Sequence, residues 1–178
     1  MTIPKLIETP RLRLRSWQEA DRPAFAALHA DPEVMRDAGG PLDRSRSDAK
    51  FDRYVAAFER YGFSRWAIAS HDGGFLGYTG IMPSRPDHPL GDHVDIGWRL
   101  VRRAWGQGYA TEAATAALRD AFARCGVAEV IAFTTADNPR SQAVMARLGL
   151  RRDPARDFRD QHGSTVWHLL VWIASPSP

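Results

Sequence analysis

The stretch from Val101, "VRRAWGQGYATEAATAALRDAF", constrains this chain more than any other. Two arginines precede Gly106 and Gly108, and an alanine-rich amphipathic run follows at once. Ala110, Ala113, Ala114, Ala117, Leu118, Ala121 and Phe122 fall on one face at helical spacing,. Gly126 stands where such a helix would end,. "HVDIGWRLV" before it reads as a strand, and Gly97 within it as a bulge or a close backbone approach,. A strand, a glycine turn and a helix in that order are either a plain strand-to-helix turn or an anion site. Helix N-termini leave backbone N–H groups without intrahelical partners, and the helix dipole adds to their pull on negative charge. Glycines let a phosphate approach the main chain.

The periodicity of the remaining chain supplies the other elements. "RLRLRS" alternates as a half-exposed strand does,. Ser16 and Glu19 have the spacing of a capping box for a helix running to about His29,. A second helix is expected near residues 48–61, with Phe51, Tyr54, Val55 and Phe58 on its buried face,. "SRWAIAS" and "FLGYTGIM" read as strands joined by an Asp-Gly hairpin turn,. "EVIAFTT" is a buried type of strand, "SQAVMARLG" a short helix stopped at Gly149, and "STVWHLLVWI" the last strand,. The order mixes an antiparallel first half with a βαβ unit, which predicts an α/β fold of mixed α+β character in one layered sheet. Residues 1–174 are expected to form a single domain, with 175–178 as a tail,.

Bulk properties exclude several classes. The chain has 178 residues, 44% hydrophobic and 25% charged, as a globular domain does,. The net charge of +3 is too small to imply nucleic acid,. No apolar run approaches a membrane span, and the first residues lack the apolar core of a signal peptide,. Cys125 is the only cysteine, which removes internal disulfides and makes a cysteine metal site unexpected,. These features predict a cytoplasmic protein, monomeric or homodimeric, without a metal.

Two phosphate-binding motifs fit poorly. A P-loop needs a Gly-Lys pair, which the chain lacks,. A dinucleotide fingerprint needs a third glycine where Thr111 stands,. The pattern Arg103-x-x-Gly106-x-Gly108 instead resembles the GNAT (general N-acetyltransferase) superfamily, and "WGQGYATEAA" resembles the coenzyme-A loop of its Rim-type branch. Four further segments resemble that branch in the same order: "ETPRLRLR", "RWAIASHDGGFLGYTGIM", "VDIGWRL" and "DNPRSQAVMARLGL".

The resemblance implies a central mixed sheet of about six to seven strands, splayed at the strand before the glycine loop and flanked by about four helices. It implies acetyl-CoA as cosubstrate and a primary amine as acceptor, on a small molecule or on a peptide or protein N-terminus. Backbone groups of Arg103, Gly106, Gln107, Gly108, Tyr109 and Ala110 would hold the pyrophosphate. Trp98, Arg99 and Leu100 would hold the pantetheine arm, with Asn138 and Ser141 near the thiol. Asp95 is the candidate base and His93 its alternative,. The chain departs from the family where many members carry a Tyr acid, because Met145 stands there; Ser141 is the nearest hydroxyl and is alternatively a helix cap,. The departure leaves a non-catalytic acyl-CoA-binding module of the same fold as the second reading. Glu112 reads as structural and Cys125 as a small core residue,. The acceptor would be chosen by "MRDAGGPLDRSRS", "PSRPDHPLGD" and "RRDPARDFRDQHGS", which hold many arginines together with His88, His93 and His162. Those arginines suit either a substrate carboxylate or surface ion pairs.

Overall fold

The structure, a computed structural model, describes residues 6–162 and 165–176, with the side chain of His162 left out. Leu12 and Leu14 are fully buried while Arg13 and Arg15 face outward, so alternation makes β2 (Leu12–Arg15) a strand with one covered face,. It pairs with β1 (Leu6–Glu8) and β3 (Arg65–Ser70). The chain continues through β4 (Phe75–Pro83), β5 (Val94–Leu100) and β6 (Val130–Thr135). It closes with β7 (Arg151–Arg152), β8 (Phe158–His162) and β9 (Thr165–Ala174). The helices are α1 (Arg22–Ala30), α2 (Arg44–Tyr61), α3 (Tyr109–Ala123) and α4 (Pro139–Arg147).

The strands form one sheet in the order β1-β2-β3-β4-β5-β6-β9-β7, with β8 also paired to β9. Every pairing is antiparallel except β5 with β6. Register assigns the faces. Tyr78, Gly80 and Met82 of β4 stand opposite Arg99, Gly97 and Asp95 of β5 and share a face with them,. Phe25, Leu28, Phe51, Tyr54, Tyr78 and Met82 pack there under α1 and α2. The other face carries Trp66, Ile68, Ile81, Ile96 and Leu100 against Ala113, Ala114, Ala117, Leu118 and Ala121 of α3. Alanines along α3 bring its backbone close to the sheet, which fixes where the helix begins relative to β5.

The mixed α/β architecture and the four helices agree with expectation, and the sheet is larger than expected, with nine strands among the described residues. β7 and β8 lie in "RRDPARDFRDQHGS", to which the sequence pattern assigns no element; their charged residues suit strands at the border of a sheet,. Other corrections are local. The capping box forms two residues later than expected, at Gln18 and Asp21. Asp21, rather than Glu19, accepts a backbone hydrogen bond, from Gln18 N–H at 2.9 Å, and a bidentate pair with Arg15 holds it. Val55 is 37% exposed, so the buried face of α2 runs through Phe51, Tyr54, Ala57 and Phe58. Gly97 makes no bulge: β4 and β5 keep one register from Gly77↔Leu100 to Pro83↔Val94. The irregularity lies between β3 and β4, at Ile68/Ala69. Ser175 and Pro176 are exposed and outside any element, and 177–178 fall outside the described residues.

Candidate active site

β5 and β6 run parallel but share register only at Asp95↔Ile131. From Ile96 onward β5 keeps β4 on one side and no strand on the other. Each of the two diverging strands feeds a helix at its C-terminal end, α3 after β5 and α4 after β6. The open end of the gap is therefore flanked by two helix N-termini, both favourable to negative charge. A cavity of about 960 Å³ lies along this gap and across the α1/α2 face of the sheet.

At the α3 end, Gly106 and Gly108 adopt φ of +74° and +77°. Gly108 is the N-cap, and its carbonyl accepts from Glu112 N–H at 3.0 Å to open the helix. A side chain at Gly106 would meet no protein atom within 4 Å, so the space outside the loop is open to a ligand. Braces hold the loop from behind. Arg11 donates to the Gln107 carbonyl at 2.8 Å and pairs with Glu112 at 2.6 Å, and Thr9 donates to Glu112 at 2.7 Å. Burial alone would raise the Glu112 pKa, but hydrogen bonds from Thr9 and Arg11 outweigh it and hold the carboxyl below its ordinary value. Arg102 pairs with Asp31, whereas Arg103 donates to the Phe75 carbonyl at 2.6 Å and Gln107 donates to the Arg103 carbonyl at 2.7 Å. Tyr109 and Ala110 open α3, where N–H groups lack intrahelical acceptors,. Backbone donors on open space at a braced helix start fit a pyrophosphate.

The middle of the gap is lined by Ile96, Trp98, Thr134, Thr135, Ser141 and Met145. Trp98 sits on the unpaired stretch of β5, whereas the Leu100 carbonyl accepts from the Trp105 indole at 2.8 Å. Arg99 leaves on the opposite face, donating to the Val34 carbonyl and to Asp37 Oδ1, the latter at 2.8 Å. Asn138 is the N-cap of α4: its Oδ1 accepts from Ser141 N–H at 3.1 Å. Ser141 is therefore the capped residue and not the cap. Asn138 Nδ2 donates to Ser141 Oγ at 3.2 Å and to Asp37 Oδ2 at 2.7 Å. With its oxygen accepting from Asn138, the Ser141 hydroxyl keeps its proton for another partner.

On the α1/α2 face, Asp95 Oδ2 is ion-paired with Arg65, whose guanidinium also donates to the carbonyls of Gly80 and Asp95. His93 precedes β5, its Nδ1 within 2.9 Å of the Gly91 carbonyl and its ring on His88, and it does not line the cavity. His88 does line it, together with Tyr54, Tyr78 and Lys50. His29 Nδ1 meets the Phe25 carbonyl at 2.9 Å and Nε2 meets the Tyr78 hydroxyl at 3.2 Å. A carbonyl accepts only, so Nδ1 carries the proton and Tyr78 donates to Nε2. Burial first, then the nearby charge of Lys50, lowers the His29 pKa to about 3. Burial alone would raise the Tyr78 pKa, but Lys50 and Arg99 outweigh it and hold the phenol below its ordinary value.

The structure thus brings Asp95, Trp98, Arg99 and Ser141 to one cavity, with Asn138 bonded to its rim. Each of the three acceptor segments contributes to the lining, through Asp37, Arg85 and Asp160 among others; the His162 side chain is outside the described residues. Tyr78 and Trp98 line the cavity, while Trp66 is 2% exposed in the core beneath α3. Cys125 is partly buried, and burial pushes its pKa up, as suits a packing residue rather than a nucleophile,. Arg65, Asp37 and Lys50 were not singled out by sequence, where each reads as a surface charge. Among the described residues no cluster has the makings of a metal site, and no helix is long and apolar enough to cross a membrane.

The same architecture recurs in known proteins. An acetyltransferase from Agrobacterium tumefaciens str. C58 superposes with a TM-score of 0.83 at 28% identity, covering 99% of this chain and 96% of that one. The uncharacterized protein YkkB of Bacillus subtilis (strain 168) is 32% identical over 144 residues, 80% of this chain and 83% of its own length. The FsC-acetyl coenzyme A-N(2)-transacetylase of Aspergillus fumigatus is 33% identical over 151 residues, which cover 81% of this chain and 64% of the relative. Residues 11–151 match the family described as "Acetyltransferase (GNAT) domain". Together with the parted parallel strands and the glycine-capped helix, that match makes this chain a member of the GNAT acetyltransferase family, whose members use acetyl-CoA.

Proposed function

We propose that this protein transfers the acetyl group of acetyl-CoA to a primary amine by direct attack within a ternary complex, in the manner of the Rim-type branch and in the cytoplasm. One observation carries the reading: the gap between β5 and β6 opens at one end on two helix N-termini and continues into a cavity with acidic side chains. The backbone of residues 103 and 106–110 holds the pyrophosphate; Trp98, Arg99 and Leu100 contribute backbone to the pantetheine arm.

The acceptor ammonium must lose a proton before its lone pair can attack. Asp95 is the base in this reading. Its Oδ2 is bound to Arg65 and its Oδ1 has no hydrogen bond among the described residues, so Oδ1 takes the proton directly or through water. As the C–N bond forms, backbone donors on the unpaired stretch of β5 stabilise the oxyanion. The C–S bond then breaks, and the Ser141 hydroxyl hydrogen-bonds the leaving sulfur.

A second reading, a non-catalytic acyl-CoA-binding module, draws on Met145, which is buried where many relatives carry a proton-donating Tyr. Thiol release from acetyl-CoA, measured against amino acids, polyamines, aminoglycosides and N-terminal peptides, separates the two. Amine-dependent release is the expected result. Tight CoA binding with no release for any amine would favour the binding module.

A further inference from the structure

The wall that α2 presents to the cavity carries Lys50, Arg53, Tyr54 and Ala57, positions i, i+3, i+4 and i+7 of one helical face,. Lys50 Nζ lies 6.0 Å from the Tyr54 ring centroid and 5.8 Å from that of Tyr78. Three other cations of the lining are matched one to one: Arg65 with Asp95, Arg99 with Asp37, Arg85 with Asp160. Lys50 makes no ion pair among the described residues; the charged or titratable groups around it are Tyr54, Tyr78, Arg99 and His29, none of them a carboxylate. Arg53 likewise has no acidic partner and lies 5.6 Å from the Tyr54 ring. The lining as a whole holds six Lys or Arg side chains against four Asp or Glu.

A partly buried ammonium without a counter-ion is unfavourable unless something anionic joins it. The two phenols beside it supply no full negative charge in their neutral form, and the Tyr78 proton is already given to His29,. A carboxylate suits this position: one negative charge with acceptor oxygens for the Lys50 ammonium.

We propose that the acceptor amine also carries a carboxylate, bound by Lys50 between Tyr54 and Tyr78, so that the substrate class is amino acids and related amino-carboxylates rather than polyamines. This rests on the acetyl-transfer reading above and deepens it. Burial draws the Lys50 pKa down, but the Tyr54 and Tyr78 oxygens outweigh it, so the side chain stays cationic at neutral pH. A polyamine entering the same wall would meet like charge.

The test uses matched acceptors: phenylalanine, methionine and leucine, each beside its amide and its decarboxylated amine, with O-phosphoethanolamine as a phosphate arm. For the best side chain, the acid should exceed both partners that lack the carboxylate in kcat/KM by roughly 10- to 100-fold, the worth of a hydrogen bond between charged groups, and mostly through KM. Lys50→Met should collapse that ratio towards one, and Lys50→Arg should keep part of it. The rise in Tm with CoA reports that each variant is folded. A neutral amine or a polyamine preferred over every acid would overturn the proposal. So would a ratio unchanged by Lys50→Met, or O-phosphoethanolamine as the best acceptor. If no amine is acetylated at all, the acetyl-transfer reading fails instead, and binding then decides the anion site. Amino acids that raise the Tm of the CoA-saturated wild type but not of Lys50→Met support it, and no difference between the two removes it.

Discussion

Arg65 reaches Asp95 across the full width of β4. The two residues stand on β3 and β5, and the guanidinium passes over Gly80 and Gly97, which are opposite each other in register. The path exists because Gly97 has no side chain, while Gly80 is held glycine by its backbone. A Cβ at Gly97 would lie 3.2 Å from Arg65 Nη2, and one at Gly80 would lie 2.4 Å from the Ser64 carbonyl oxygen in a backbone with φ +140°.

Gly80→Ala is therefore expected to destabilise the fold severely, by about 3 kcal/mol or more, because backbone must move. Arg65→Met removes one partner of a pair whose side chains are only 9% and 17% exposed, leaving Asp95 uncompensated, and is expected to cost about 3–5 kcal/mol,. Urea midpoints at constant m-value measure both.

Asp95→Asn should lower turnover at neutral pH by about a hundredfold or more, the usual worth of general-base catalysis, with little change in CoA affinity. The loss should shrink as pH rises towards the pKa of the amine, since free amine needs no base. Ser141→Ala should cost less, because water replaces a hydrogen bond to sulfur more readily than it replaces a placed carboxylate. A rate for Asp95→Asn equal to wild type across that range would remove Asp95 from the chemistry.

Gly108 caps α3 at φ +77°, and a Cβ there would touch only Arg11 Nη2, at 3.4 Å. The cost of a side chain is thus conformational on the protein side, about 1–2 kcal/mol for a left-handed residue, and steric on the ligand side. Gly108→Val should remain folded with a Tm several degrees lower and bind CoA more weakly. CoA affinity equal to wild type, by calorimetry, would mean that the pyrophosphate does not rest on this loop.

His29 sets a pH limit on stability. Its folded pKa, about 3, lies below the ordinary 6.5, so between these values the unfolded chain binds the proton that the folded chain refuses. Stability is then fully present above about pH 6.5 and is lost as pH falls towards 3. The Tm should drop already between pH 6.5 and 4.5, above the range where carboxyls with lowered pKa, such as Glu112 and Asp157, begin to titrate. His29→Gln should flatten that segment of the profile, whatever its absolute stability. An equal slope in the variant would assign the loss to other groups.

Elements set by local pattern were legible in the sequence. The alternation of Leu12 and Leu14, the Asp-Gly hairpin and the alanine face of α3 each depend on neighbours a few residues away. β8 was not legible, because its Arg, Asp and Gln carry no apolar alternation and only β9 makes it a strand. The glycine loop announced itself because backbone chemistry needs glycine. Arg65, Asp37 and Lys50 did not, because a charge looks the same in sequence whether water or a partner 30 or 62 residues away satisfies it. Gly97 reads in sequence as a bulge or a close approach, and only the second holds: it clears a lane for Arg65.

Asp37 belongs to the acceptor side of the cavity by its position between α1 and α2, yet it bonds both borders of the gap. One carboxylate oxygen meets Arg99 of β5 and the other meets Asn138 at the start of α4. A ligand that parts these borders changes what Asp37 holds, and an amine that draws on Asp37 changes what holds the borders. Under the proposed reaction, acetyl-CoA and acceptor are then expected to bind interdependently. Whatever factor the first imposes on the affinity of the second, the second returns to the first, because the coupling free energy between two sites is reciprocal.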